Sequence, residues 1–152
     1  MSYTAEALLP GIDILAGPRA IIHALGTVFT NAGAAIVTNR MIQAATAPKN
    51  LGWGVGTTAA AVTDTALGSE AAPTTGGGRV AGTESRATTT VTNDTYQVAS
   101  TVTATSTLAI TEAGLFDLVS AGNMLIRSVF AQVNVNSGDS IAFTAQLKYI
   151  PA

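Results

Sequence analysis

Apolar and polar side chains alternate so regularly over residues 140–149 that this stretch has little choice of structure. Ile141, Phe143, Ala145, Leu147 and Tyr149 fall on one side, and Ala142, Thr144, Gln146 and Lys148 on the other. Successive side chains of an extended chain point to opposite faces, so the pattern predicts a strand with one face on a core and one in solvent. Residues 96–111 repeat it, with Tyr96, Val98, Val102, Leu108 and Ile110 set against Gln97, Thr101, Thr103, Thr105, Thr107 and Thr111. As one straight strand they would measure ~50 Å, so they are expected to bend or divide near residues 103–106 into two strands in phase. Both patterns imply an antiparallel sheet with one dry face and one hydroxyl-coated face.

Other segments extend this reading. Residues 124–135 are apolar on both faces, Met124, Ile126 and Phe130 against Leu125, Val129, Val133 and Val135, which predicts a strand covered on both sides by a second sheet, by the N-terminal segment or by another chain. Residues 51–55 read as a short strand thinned by Gly52, Gly54 and, just beyond, Gly56, as close backbone approach or a bulge would require. Asn93-Asp94 is expected to form a two-residue hairpin turn, since both residues tolerate positive φ. Residues 136–139 turn the chain into the last strand. Residues 73–78, with Gly76, Gly77 and Gly78, are expected to form a loop that no side chain orders. The predicted fold is all-β: an antiparallel two-sheet sandwich, jelly-roll-like, spanning residues 48–152.

Residues 1–47 form a separate region, an extended apolar arm containing at most short helices. Gly and Pro interrupt it too often for one long element. Ile21, Ile22, Leu25, Val28 and Phe29 follow helical spacing over residues 19–29 despite Gly26, and residues 34–41 suit a short helix or strand. Burying Leu8, Leu9, Ile12, Ile14 and Leu15 is worth roughly 1.5–3 kcal/mol each, or about 7–15 kcal/mol as an upper bound. That rivals the stability of a whole domain. The arm must therefore pack, either on its own sheet or on a neighbouring subunit. Leu8, Leu9, Ile12, Ile14, Leu15, Ile21, Ile22 and Trp53 are the candidate interface residues.

The composition argues against most chemistry. Only 11% of the 152 residues are charged while 47% are hydrophobic, so Thr, Ser, Asn and Gly must solvate the surface or other subunits must cover part of it. The 7 Lys and Arg stand singly against 9 Asp and Glu, forming no basic stripe, so direct nucleic-acid binding is not expected. With 0 Cys there is neither a disulfide framework nor thiol chemistry. The N-terminal segment lacks the basic start of a secretory signal, and its apolar run is broken before membrane-spanning length; a soluble protein made in a cytoplasm, with no membrane partner, is expected.

His23 is the single His and sits in an apolar run, which suits a structural residue better than a general base. No transition-metal set, calcium loop, nucleophile elbow or phosphate cradle is present, so no catalytic, metal-binding or cofactor-binding residues and no cofactor are expected. Glu112 and Asp117 are the nearest to a carboxylate pair of the kind that cleaves glycans. Glu112 reads better as a strand-end carboxylate pairing with Arg127 or capping a turn, and Asp64 as a turn or cap carboxylate. Trp53, between glycines, is a core or interface anchor rather than a sugar-stacking residue.

Four strings occur in order: Trp53-Gly54-Val55-Gly56-Thr57-Thr58, Val62-Thr63-Asp64-Thr65-Ala66-Leu67, Thr111-Glu112-Ala113-Gly114-Leu115-Phe116 and Ser137-Gly138-Asp139-Ser140. In this order they resemble tailed-bacteriophage virion structural proteins over roughly residues 37–150. The resemblance implies a non-enzymatic capsid decoration (cement) protein that sits as a trimer on the outer surface of the virion, after synthesis in the host bacterial cytoplasm. Its partners would be other copies of itself and the major capsid protein, whose contacts it would stabilise. The resemblance equally covers tail-fibre or baseplate domains that bind host receptor or glycan, for which Trp53, Tyr96 and the loop carrying Gly76 and Arg79 would be the platform.

Overall fold

The computed structural model describes residues 9–16, 20–23, 27–44, 46–72 and 76–149. Its elements are β1 (Leu9–Ala16), β2 (Ala20–His23), β3 (Val28–Phe29), α1 (Asn31–Met41), β4 (Asn50–Gly54), β5 (Val80–Ala81), β6 (Thr83–Ala87), β7 (Thr95–Thr103), β8 (Leu108–Phe116), β9 (Met124–Val135) and β10 (Ser140–Lys148). Two five-stranded sheets, ordered β2-β1-β10-β7-β6 and β3-β9-β8-β4-β5, pack face to face with every strand pair antiparallel. The chain crosses between sheets from β2 to β3, β5 to β6, β7 to β8 and β9 to β10, the nesting that makes a sandwich jelly-roll-like.

The alternation in β10 acts as read: Ile141, Phe143, Ala145 and Leu147 are buried and the residues between them are partly exposed. Tyr149 departs from it, because the strand stops at Lys148 and leaves the ring at the rim of a groove. The long alternating segment divides where expected. Ala104 spans the break, its N–H donating to Asp139 O at 2.8 Å while its carbonyl accepts from Gly138 N at 2.8 Å. The two halves enter different sheets, β7 the first and β8 the second. Between the sheets, Trp53 of β4 meets Phe143 of β10 edge to face, with centroids 6.0 Å apart.

Three expectations change. The hydroxyl-coated face does not continue onto β8, where Thr111 through Phe116 are buried on both sides because the segment between β4 and β5 folds over the outer face. Residues 20–23 and 28–29 are strands rather than parts of a helix: β2 pairs with β1 and β3 with β9, and such ladders outweigh a short apolar run of ambiguous spacing. The β6–β7 hairpin forms, but residues 88–94 all belong to its loop. Asn93 has the expected positive φ, 59°. What shapes the loop is the Asp94 carboxylate, which accepts the N–H groups of Thr89, Thr90 and Val91 at 2.8–2.9 Å.

Residues 34–41 are helical within α1. Thr30 caps it, its Oγ1 accepting from Gly33 N at 2.9 Å and donating to Met124 O. Gly33 and Ile36 face β9, where a Cβ on Gly33 would stand 2.3 Å from Leu125 O.

The apolar arm supplies β1 and β2. Leu9 through Leu15 pair residue by residue with Lys148 back to Ala142, and Ile12 and Ile14 are register partners of the buried Ala145 and Phe143. Pairing with its own sheet is therefore the alternative that residues 9–16 and 20–23 take. Leu8 lies outside the described residues.

Candidate functional site

Glu112 and Asp117 enter separate hydrogen-bond sets. Glu112 is wholly buried in β8: its Oε1 accepts from Gly56 N at 3.0 Å and Ser69 N at 2.7 Å. Its Oε2 accepts from Gly68 N at 2.9 Å and from Arg127 Nε and Nη2 at 3.0 and 2.8 Å. Arg127, itself buried, reaches Asp64 Oδ2 at 2.7 Å, and Asp64 also accepts from Ala61 N. The carboxylate fits because the end of β4 and the residues just beyond it lack side chains: a Cβ on Gly54 would lie 2.7 Å from Glu112 Oε1, and one on Gly56 2.4 Å from it. This is the close approach for which the glycines read.

Burial alone would raise the Glu112 carboxyl, but the Ser69 and Gly68 N–H groups and the Arg127 guanidinium outweigh it and hold the pKa below the ordinary value. Asp64 is likewise lowered, burial being overcome by the Ala61 N–H and Arg127. An anion with all these donors in place has no proton to give and no oxygen turned to a substrate. Asp117 instead ties its own turn, accepting from Asn123 N at 2.7 Å and Asn123 Nδ2 at 3.1 Å.

Three of the four strings behind the resemblance converge on this cluster. Gly54 and Gly56 make room for Glu112, Asp64 completes the Arg127 pairing, and Leu67 packs with Phe116 and Met124. The fourth forms the β9–β10 turn, where Asp139 Oδ2 accepts Asn136 N at 2.7 Å. These strings specify a scaffold.

The residues named for the alternative, receptor-binding reading are placed apart. Of the two places read for Trp53, core or interface, it takes the core: it is 0% exposed and its ring fills the space between the sheets. Its Nε1–H donates to Gly76 O at 2.6 Å, so the indole fixes the glycine run that no side chain was expected to order. Pro73, Thr74 and Thr75 lie outside the described residues. Arg79 forms a two-point pair with Glu70 at 2.6 and 2.9 Å, lies 3.4 Å above the Phe116 ring and binds the carbonyls of Leu118 and Ala121. His23 is the register partner of Asp13 in the β1–β2 pair.

Among the described residues, a groove of about 440 Å³ lies open between α1 and the end of the first sheet. Ile36, Val37, Leu125 and Leu147 are among the apolar residues lining it, with Arg40, Glu84 and Arg86 as its charges. The Tyr96 hydroxyl crosses it, 3.0 Å from Pro48 O and 3.1 Å from Glu84 Oε2; burial, reinforced by the Glu84 charge, raises its pKa. Met41, another lining residue, and its neighbour Ile42 are 81% and 71% exposed, a large apolar pair left in solvent at the helix end. Sequence reading missed this groove because it draws on elements far apart in the chain; the one local signal was Met41-Ile42, placed past the turn of α1 that touches β9.

Among the described residues no group of three or more His, Asp or Glu could hold a metal ion, and no helix is long and apolar enough to cross a membrane. No protein family, curated protein or solved structure matches the chain.

Proposed function

We propose that this chain is a virion structural protein, a capsid decoration protein that binds the outside of a tailed-phage shell as a symmetric assembly and stabilises contacts between major capsid proteins. One observation carries the reading: the ionisable groups Glu112, Asp64 and Arg127 are used up in holding a loop to the sandwich, while the apolar surface at Met41, Ile42 and the adjoining groove is left uncovered by the described residues. A decoration protein needs a rigid body and modest contacts repeated by symmetry, since linked contacts raise the effective affinity of each. The order of the four strings supports the same class, and their use as scaffold suits a role without catalysis. The trimer implied by the resemblance is part of the proposal.

Immunogold labelling of intact, DNA-filled particles, with antibody raised to the folded chain, tests this. Gold distributed over the whole head supports it; gold confined to the tail, or absent from intact particles that contain the chain, overturns it. A second measurement concerns the stabilising role. Heads stripped of the chain should release DNA at a lower temperature than untreated heads, and adding the purified chain back should restore the difference.

A further inference from the structure

We infer that β6 is a self-complementary edge through which two copies of this chain join, their first sheets becoming one continuous antiparallel sheet across a two-fold axis. β6 closes the β2-β1-β10-β7-β6 sheet and pairs with β7 alone, without a register shift. Among the described residues, residues 83–87 make no backbone hydrogen bond except to β7, and Thr83, Glu84, Ser85 and Arg86 are exposed. An exposed edge of this kind presents a row of unpaired N–H and C=O groups. With five residues β6 is also the longest of the edge strands, against four in β2 and two each in β3 and β5.

The occupant follows from the charges. Edges are guarded against other strands by charged side chains, Pro, a bulge, short length or a covering segment, and a charged edge admits a second strand only where the opposed charges match. β6 reads Thr83-Glu84-Ser85-Arg86-Ala87, with no Pro, no bulge and opposite charges placed symmetrically about its middle residue. In antiparallel pairing about Ser85, each Glu84 stands opposite the partner copy's residue 86 and each Arg86 opposite its residue 84. The strand ends, residues 83 and 87, match in the same register. Cross-strand neighbours share a face, so both ion pairs would form on the face that Glu84 and Arg86 turn toward the groove and Tyr96. Within its own chain Arg86 has no ion-pair partner among the described residues. The contact is isologous, the same strand serving on both sides. It stands independently of the decoration reading, and on a shell it would link neighbouring assemblies across local two-fold axes.

Charge reversal gives a test with an internal control. Glu84→Arg makes residues 84 and 86 both positive, Arg86→Glu makes both negative, and either variant alone places like charges opposite each other twice. Sedimentation equilibrium over a concentration series should show wild type as a dimer, or as a hexamer if three-fold contacts also form. Each single variant should associate at least about tenfold more weakly at this contact. An equimolar mixture of the two should recover the wild-type assembly, because every opposed pair is then of opposite sign. Circular dichroism checks that each variant is folded, and recovery in the mixture also excludes misfolding as the cause of the loss. A wild type that is monomeric or contains an odd number of copies, variants that associate as tightly as wild type, or a mixture that stays apart would each overturn the inference.

Discussion

The five donors around the Glu112 carboxylate come from Gly56, Gly68, Ser69 and Arg127, so a single side chain gathers residues more than fifty positions apart in the sequence. Of these donors only Arg127 Nη2 has a second acceptor among the described residues, the Thr58 carbonyl at 3.2 Å. Glu112→Gln keeps the shape but turns an amide N–H₂ toward groups that are already donors and leaves buried Arg127 with Asp64 as its one carboxylate among the described residues, beside the Thr58 carbonyl. Breaking one side of a buried ion pair typically costs about 3–5 kcal/mol, and that is the expected loss here. Asp64→Asn should cost less, since the Asp64 side chain is 22% exposed and water can replace part of what it gives. Urea denaturation of both variants checks this through the midpoint at unchanged slope. Equal losses, or a Glu112→Gln loss below about 1 kcal/mol, would show that the cluster does not hold the loop.

Helix α1 reverses the usual effect of its glycine. In a solvent-exposed helix, Gly→Ala is favourable by about 0.8–1 kcal/mol. At Gly33 the added Cβ would meet Leu125 O at 2.3 Å, a β9 backbone atom that already accepts from Thr30 N at 3.2 Å. The helix must then move off β9, disturbing Ile36 and the Thr30 bonds to Gly33 and Met124. Gly33→Ala should therefore lower the thermal midpoint, by several degrees if the loss is about 1–2 kcal/mol; a rise would mean that α1 is not held against β9. Elements whose burial follows a local period were legible in the sequence: β10, β7 and the break before β8 all follow from alternation. The outer face of β8 was not, because its cover is a loop whose residues show no period. The same holds for the groove, and β2 was read as helix because four or five apolar residues fit either period until a partner strand selects one. Of the site, the Glu112–Arg127 pairing and the need for small residues at Gly54 and Gly56 were legible; Ser69 and Gly68 as donors to Glu112 carried no signal of their own.

Across the whole molecule, acid sensitivity follows from which carboxylates the fold employs. Asp64, Asp94 and Glu112 all have lowered pKa values: at each, burial is outweighed by backbone N–H donors, joined by Arg127 at Asp64 and Glu112 and by the Thr95 hydroxyl at Asp94. A group that binds its proton more weakly when folded contributes stability that is complete above its unfolded pKa, ordinarily about 4, and is lost as pH falls through the folded value. Stability should thus be level from neutral pH to about 5 and decline steadily below it. Arg127, raised by Asp64 and Glu112 against the effect of burial, keeps its charge throughout this range. Among the described residues three groups share the decline, and removing one should reduce it by that group's part. The urea midpoint of Glu112→Gln, lower at neutral pH, should accordingly fall less steeply on acidification and approach that of wild type. Parallel curves for the two proteins would place the acid sensitivity elsewhere, and a wild-type midpoint that rises toward low pH would reverse the assigned direction of these shifts.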